Sequence, residues 1–141
     1  MKALKLASKK ESGQSLMELA FSLMFLLVLL SGVVDLGRAF FTYMAMRDAA
    51  QEGALYGSIH PGDEIEIKNH VRYSSDMMQN LISNDDITVD VPTACNGNPI
   101  TVELVYNDFP LTMPFIGTFI GSQTIAIRTS VIDTILTPPC D

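Results

Sequence analysis

The hydrophobic pattern of the chain is dominated by one apolar run near the N-terminus. No residue from 19 to 34 is charged, and Glu18 and Asp35 stand on either side of this run. Strong helix formers continue beyond it, so the pattern predicts one continuous helix over residues 14–57, about 66 Å long. A helix of that length cannot be buried in a small domain. Its first half, about residues 16–36, is therefore predicted to cross a membrane.

The remaining pattern predicts a smaller unit, residues 58–141, here called the body. After a break at residues 58–62, apolar residues at helical spacing predict a second helix over residues 63–82, so that residues 58–84 form a linker and a helix. Residues 85–141 are predicted to be β-rich, because apolar and polar residues alternate in three segments. This region is also expected to be exported, for the reason of charge given below. The positions on the apolar side are Ile87, Val89 and Val91, then Ile100, Val102, Leu104 and Tyr106, and then Ile125, Ile127, Thr129, Val131 and Asp133. We expect an α+β fold with a three-stranded antiparallel sheet packed on the second half of the long helix.

The stretch between the last two predicted strands, Phe109–Ile120, is apolar and interrupted by prolines. Its apolar character makes it a candidate surface for binding a partner. Two other interpretations are equally open: the stretch covers the core, or it rests on lipid headgroups.

Charge is distributed unevenly along the chain and indicates its orientation. The first 13 residues contain four lysines and one glutamate, a net charge of +3, whereas the remainder has five basic and 15 acidic residues, a net charge of −10. A basic segment before an apolar run keeps the N-terminus in the cytoplasm, so the acidic body is expected outside. We expect no nucleic-acid partner, since phosphate contacts need clustered lysine and arginine.

The N-terminal segment has three interpretations. A cleaved secretory signal needs a small-residue cleavage site after the apolar run, and no such site follows Val34. A plain anchor gives no reason for Glu18, because a carboxylate facing lipid costs about 2.5–3.5 kcal/mol near the bilayer centre and less at its edge. Gly13 followed five residues later by Glu18, directly before the apolar run, resembles the class III signal of type IV prepilins.

This resemblance implies that a prepilin peptidase cuts between Gly13 and Gln14 on the cytoplasmic side of the membrane. Residues 1–13 would then be a removable basic leader. The new N-terminal amine would lie one helical turn from Glu18, whose carboxylate can neutralise it in the same or a neighbouring subunit. The alternative for Glu18 is a carboxylate at the membrane surface that reaches for water.

A ridge of small side chains runs along the second half of the predicted helix at four-residue spacing. Its members are Ala45, Ala49, Gly53 and Gly57. Such a ridge lets another backbone approach closely. We favour packing against the protein's own sheet, and the alternative is packing against helices of neighbouring subunits.

Two pairs of side chains are candidate contacts. Asp35 and Arg38 are three residues apart, so they can form an ion pair where the helix leaves the bilayer. Cys95 and Cys140 can form a disulfide if the body is exported, and two free or buried thiols are the alternative.

Residues 13–57 resemble the TadE-like family, minor pilin-like proteins of the tight-adherence (Flp) pilus machinery. The juxtamembrane motif of Asp35, Gly37 and Arg38 is more distinctive than the prepilin pattern alone. The matching elements are Gly-Gln-Ser-Leu-Met-Glu at residues 13–18, Gly-Val-Val-Asp-Leu-Gly-Arg at 32–38 and Ala-Ala-Gln-Glu-Gly-Ala at 49–54.

The resemblance implies a pilin-like, membrane-anchored component of tight-adherence pilus assembly or of a related secretion system. Its partners would be the membrane, a prepilin peptidase, other pilin-like subunits and the pilus assembly platform. The protein would cross the inner (cytoplasmic) membrane once and would be a candidate for incorporation into a pilus. Many relatives have a proline where this chain has Met24 and an arginine where it has Gln51. Two alternatives stay open, an uncleaved single-span scaffold of the same machinery and an extracytoplasmic adhesin or binding module.

The sequence contains no recognisable enzymatic motif. Gly-x-Ser-x-Gly, Walker A, dinucleotide-binding and His-Glu-x-x-His patterns are all missing from it. His60 and His70 lie in a turn and on a charged helix, and the cysteines are not at metal-binding spacing, so solvated histidines are expected. We therefore expect no enzymatic activity, cofactor, bound metal or small-molecule substrate.

Overall fold

The computed structural model describes residues 11–114 and 116–140, with the backbone alone for Glu11 and Ser12. Most of the predicted leader, residues 1–10, lies outside this range, as does Phe115 of the apolar stretch. The elements in chain order are α1 (Glu11–Ile59), α2 (Glu64–Tyr73), α3 (Asp76–Leu81), a 3-10 turn (Asn84–Asp86), β1 (Ile87–Asp90), β2 (Pro99–Pro110), α4 (Ile116–Ile120) and β3 (Thr124–Thr134).

The long helix α1 is unbroken over 49 residues, which corresponds to about 74 Å. Nearly all side chains of residues 13–34 are exposed, whereas one face of the helix is buried from Asp35 onward. Within the described ranges, α1 is the one helix long and apolar enough to cross a membrane. So large an exposed apolar surface is unfavourable in water, which supports a membrane anchor in the first half of α1.

The second predicted helix is divided into two short ones. α2 begins after the N-cap Asp63 and ends at Tyr73, with Ser74 as its C-cap. Ser75 then caps α3, because its hydroxyl accepts a hydrogen bond from the backbone N–H of Met78 at 3.3 Å. The prediction of one helix over residues 63–82 is therefore wrong at this point, since serine side chains compete with helical hydrogen bonds.

The sheet is antiparallel with the strand order β1–β2–β3. Val102 of the central strand pairs with Val89 on one side and Val131 on the other. The buried side chains of β2 alternate with less buried ones, as the sequence predicts. A register shift after Tyr106 then places Phe109 in the core. The following connection contains the short helix α4, where the sequence predicts an irregular stretch.

The core lies between the second half of α1, α2 and the inner face of the sheet. α1 contributes mainly small side chains, while the facing elements contribute β-branched and larger ones. The predicted α+β arrangement, a long apolar helix carrying a three-stranded antiparallel sheet on its second half, is confirmed. The fully buried members of the core are Met46, Ala50, Ala54, Ile67, Val71, Met78, Ile100, Val102, Leu104 and Ile135.

Candidate functional site at the junction of helix and sheet

Asp35 of α1 joins the helix to the chain segment that follows β2. The residue is only 4% exposed. Its carboxylate accepts the backbone N–H of Thr112 at 2.8 and 3.0 Å, the backbone N–H of Met113 at 2.7 Å, and the hydroxyl of Thr112. Three donors from Thr112 and Met113, which are distant from Asp35 in sequence, therefore converge on one carboxylate beside the apolar run. We call this end of the sheet the membrane end.

These contacts compensate for an unfavourable position of the charge. Asp35 directly follows the uncharged run, where a desolvated carboxylate is costly unless hydrogen-bond donors surround it. Hydrogen bonds to a charged acceptor are roughly twice as strong as those between neutral groups. The carboxylate is thus both accommodated near the membrane and used to hold the β2–β3 connection on the helix.

The other two residues of the juxtamembrane motif contribute differently. Arg38 lies 3.5 Å from the Asp35 carboxylate, and its guanidinium stands 5.3 Å from the centre of the Phe109 ring. Its side chain is 43% exposed, so the ion pair is expected to add little stability. Nothing lies within 4 Å of the position that a Cβ on Gly37 would take. Packing therefore gives no reason for a glycine at that position.

Thr112 and Met113 are partners of Asp35 that the sequence does not reveal. The sequence predicts Arg38 as the partner of Asp35, but the closer partners lie 77 and 78 residues away. One available signal was the absence of charge from residue 109 to 127, which is compatible with a place beside the membrane. That signal does not say which backbone amides meet the carboxylate.

The opposite end of the sheet, here called the far end, is attached to the C-terminal turn of α1. The backbone N–H of Leu136 donates to the carbonyl of Ser58 at 2.8 Å, and the Thr137 hydroxyl donates to the carbonyl of Ile59 at 3.0 Å. These carbonyls lack partners within a helix that ends there. The sheet is therefore fixed to α1 at two levels that are 23 residues apart along the helix, from Asp35 to Ser58, or about 35 Å.

The ridge of small residues faces both α2 and the sheet. A Cβ on Gly53 would collide with Val71, and a Cβ on Gly57 would collide with Ile100 of β2 and contact Ile67. Ala49 is 1% exposed, whereas Ala45 is half-buried. The glycines thus allow α1 to approach α2 as closely as it approaches the sheet.

The two cysteines are joined in the structure as a disulfide between Cys95 and Cys140, with their Cα atoms 5.1 Å apart. The bond links the turn before β2 to the C-terminal tail across 45 positions of sequence. The backbone N–H groups of Asn96 and Gly97 also donate to the carbonyls of Pro138 and Ile135. Covalent and backbone bonds therefore hold the same two segments together at the far end.

The residues of the predicted cleavage motif lie at the opposite end of α1 from the body. Gly13, Gln14 and Glu18 are all exposed. The side-chain amide of Gln14 lies 3.5 Å from the Glu18 carboxylate, so the first and fifth residues after Gly13 are already neighbours on the helix surface.

The rings of His60 and His70 both stack on Tyr56, so they are not surrounded by solvent alone. The Tyr56 ring stacks with the His70 ring at 4.0 Å and with the His60 ring at 4.7 Å between centroids. In the part of the chain that the structure describes, no group of three or more His, Cys, Asp or Glu side chains is arranged to hold a metal ion.

Comparison with known proteins identifies the family of the long helix. The family model described as TadE-like protein matches residues 13–55. The long helix is TadE-like in sequence. The match begins at Gly13 and includes Glu18, the juxtamembrane motif and Gly53, so the predicted family is confirmed over these residues. No curated protein and no solved structure matches the chain.

The TadE-like match and the anchor helix agree on a general function. They support a minor pilin-like membrane protein related to the tight-adherence pilus, and the TadE-like family is a structural component of that system. The Asp35 junction holds the β2–β3 connection on α1 directly after the apolar run.

Proposed function

We propose that this protein is a pilin-like subunit of tight-adherence (Flp) pilus assembly or a related secretion system, and that a prepilin peptidase cuts it after Gly13. One observation carries the proposal: the TadE-like match starts at Gly13, at the head of a helix whose first half is apolar and exposed. The chemistry is performed on this protein by the peptidase.

Access to the bond after Gly13 supports the cleavage step. Gly13 is exposed, and nothing lies within 4 Å of the position that its Cβ would take. After cleavage the amine would be on Gln14, whose side chain already lies beside Glu18. A carboxylate one turn from a new ammonium group can neutralise it within the subunit or across to a neighbour.

Charge and the cysteines support the proposed orientation. The four leader lysines favour a cytoplasmic N-terminus, which leaves the acidic body on the outside of the inner membrane. A disulfide between Cys95 and Cys140 suits that compartment, because disulfides persist where thiols are not kept reduced.

The decisive experiment is intact-mass analysis of the protein extracted from membranes of cells that contain the peptidase. We expect a mature chain that starts at Gln14, and we expect Gly13→Val to restore the start at Met1. Gly37→Val is the matched control, because Gly37 is also exposed with nothing within 4 Å of its Cβ position. A wild-type chain that keeps Met1 in these cells would rule out the cleavage.

An uncleaved scaffold is the second candidate, and one observation favours it. α1 already begins at Glu11 and runs through Gly13 without a break, so the peptidase would have to unwind that turn. Intact mass separates the two candidates, and isolation of pili tests incorporation, since a scaffold is expected to stay in the membrane fraction.

A further inference from the structure

A second uncharged segment lies at the membrane end of the sheet. Residues 109–127 contain no charged side chain over 19 positions, three more than the apolar run of α1. The helix α4 within this segment exposes two large apolar side chains, Phe119 at 85% and Ile120 at 53%. Exposed aromatic and aliphatic groups in a segment without charge favour an apolar or interfacial environment over water.

The fold fixes this segment at the level where α1 leaves the bilayer. The Asp35 carboxylate holds the backbone of Thr112 and Met113. The side chain of Met113 also reaches Gly32, inside the uncharged run, and a Cβ on Gly32 would lie 3.6 Å from the Met113 sulfur. A span of about 20 residues that starts near residue 16 ends near Asp35. The segment therefore touches α1 inside the uncharged run, at Gly32, and at the residue where that run ends, Asp35.

We propose that α4 and the adjoining residues 111–114 form a second membrane contact, which inserts Phe119 and Ile120 among the lipid headgroups and upper acyl chains. The partner is the same bilayer that α1 crosses, because Gly32 of the uncharged run, Met113 and Ile116 of α4 line one apolar groove beside α1. The segment carries no lysine or arginine. The contact therefore uses apolar insertion and does not depend on anionic lipid.

This contact is independent of pilus assembly. It requires only that α1 crosses a membrane, so cleavage at Gly13 and entry into a fibre can fail while the contact remains. Its consequence is that the body contacts the membrane surface at the β2–β3 connection. The body is then not held away from the membrane by α1.

The chain contains no tryptophan, so one substitution creates a unique fluorescent depth probe. Phe119→Trp and, as a second probe, Ile120→Trp are made in the full chain and reconstituted into phosphatidylcholine vesicles. A parallel set of vesicles has bromine on the acyl chains near the headgroups. Leu136→Trp is the matched control, because Leu136 is also an exposed apolar residue of the body but lies at the far end. Phe25→Trp, in the middle of the apolar run, reports whether α1 is in the bilayer at all.

We expect tryptophan at 119 and 120 to show blue-shifted emission and a clear loss of fluorescence in brominated vesicles, while tryptophan at 136 shows neither. Quenching at 119 and 120 no greater than at 136, in vesicles where the probe at 25 is quenched, would overturn the proposal. A blue shift at 119 without quenching would also overturn it, since α4 would then be covered by protein, such as a second copy of the chain. Quenching at 119 that requires anionic lipid would contradict the apolar mode of insertion.

Discussion

The two ends of the sheet are attached to α1 by different chemistry. At the membrane end, one carboxylate collects three hydrogen bonds from the β2–β3 connection. At the far end, two carbonyls of the last helical turn accept hydrogen bonds from the C-terminal tail, and a disulfide joins that tail to the turn before β2. The first attachment depends on a single side chain, whereas the second is shared among the backbone and a covalent bond.

The difference follows from where each end lies. Near the bilayer, low polarity strengthens hydrogen bonds to a charge and makes an unpaired charge costly. At the far end water competes for every polar group, which weakens hydrogen bonds there. A disulfide, which restricts the unfolded chain, therefore adds more to the free energy of unfolding at this end than a hydrogen bond does. Removing either attachment should therefore loosen one end of the sheet and leave the other attached to α1.

The largest expected effect is at the far end. Cys140→Ser removes the disulfide, and for a loop of this length the chain-entropy relation gives a loss of about 4 kcal/mol in the free energy of unfolding. Urea denaturation in detergent measures this loss, which is shared by the whole body because it arises in the unfolded chain. In addition, we expect hydrogen exchange through local opening to increase at the Gly97 and Leu136 amides. Thr137→Ala is the control, since it removes one hydrogen bond worth about 1 kcal/mol. An equal increase in local opening at Thr112, beyond the loss shared by the whole body, would contradict independent ends.

The second effect is at the membrane end. Asp35→Ala leaves the Thr112 and Met113 amides without their acceptor, and we expect a loss of about 3 kcal/mol. The same denaturation measures the loss, and exchange through local opening should increase more at these two amides than at Leu136. Asp48→Ala removes an exposed carboxylate from the same helix and should leave both amides protected. Unchanged protection in Asp35→Ala would show that the junction does not hold the connection.

Two glycines of α1 give opposite expected outcomes. A methyl group on Gly53 would collide with Val71, so Gly53→Ala should cost about 1–2 kcal/mol of stability through overpacking. Gly37 has open space around it, and Gly37→Ala should add up to about 1 kcal/mol, because alanine favours the helix. Thermal denaturation of the two variants side by side compares them. A destabilised Gly37→Ala variant would mean that Gly37 has a partner outside this chain.

The smallest expected effect is at Arg38. Its side chain is partly exposed and only its Nη1 atom approaches the Asp35 carboxylate. Arg38→Ala should therefore lower the free energy of unfolding by about 0.5 kcal/mol, and by less at high salt. Denaturation at two salt concentrations measures this. A loss as large as that of Asp35→Ala would show that the ion pair, and not the backbone amides, holds the membrane end.

Periodicity was sufficient to predict the elements with many local contacts. The uncharged run and the helix formers after it predict α1 to within a few residues of Glu11–Ile59, because a helix depends on neighbours along the chain. The alternation in β2 and β3 predicts the strands and their buried faces, because successive side chains of a strand point to opposite faces of the sheet. The break between α2 and α3 was missed, since apolar spacing continues through Ser74 and Ser75 while the side chain of Ser75 caps a new helix.

The junction could not be predicted, because its geometry is set by the whole fold. Asp35 was identified as part of a motif, but its contacts with Thr112 and Met113 require α1 and the β2–β3 hairpin to lie side by side in one register. The position of Gly53 and Gly57 against α2 likewise depends on how the chain turns back after Ile59. The sequence predicts that small residues allow a close approach but does not name the element that makes it.

Because the sheet is bonded to α1 at Asp35 and again at Ser58, the body cannot swivel on its anchor. A rotation of the helix about its axis carries the whole sheet with it. One residue inserted into the apolar run would therefore turn the body by about 100° relative to the lower part of the span. The direction in which this protein presents its exposed sheet face is thus set by how a helix is rotated inside the membrane.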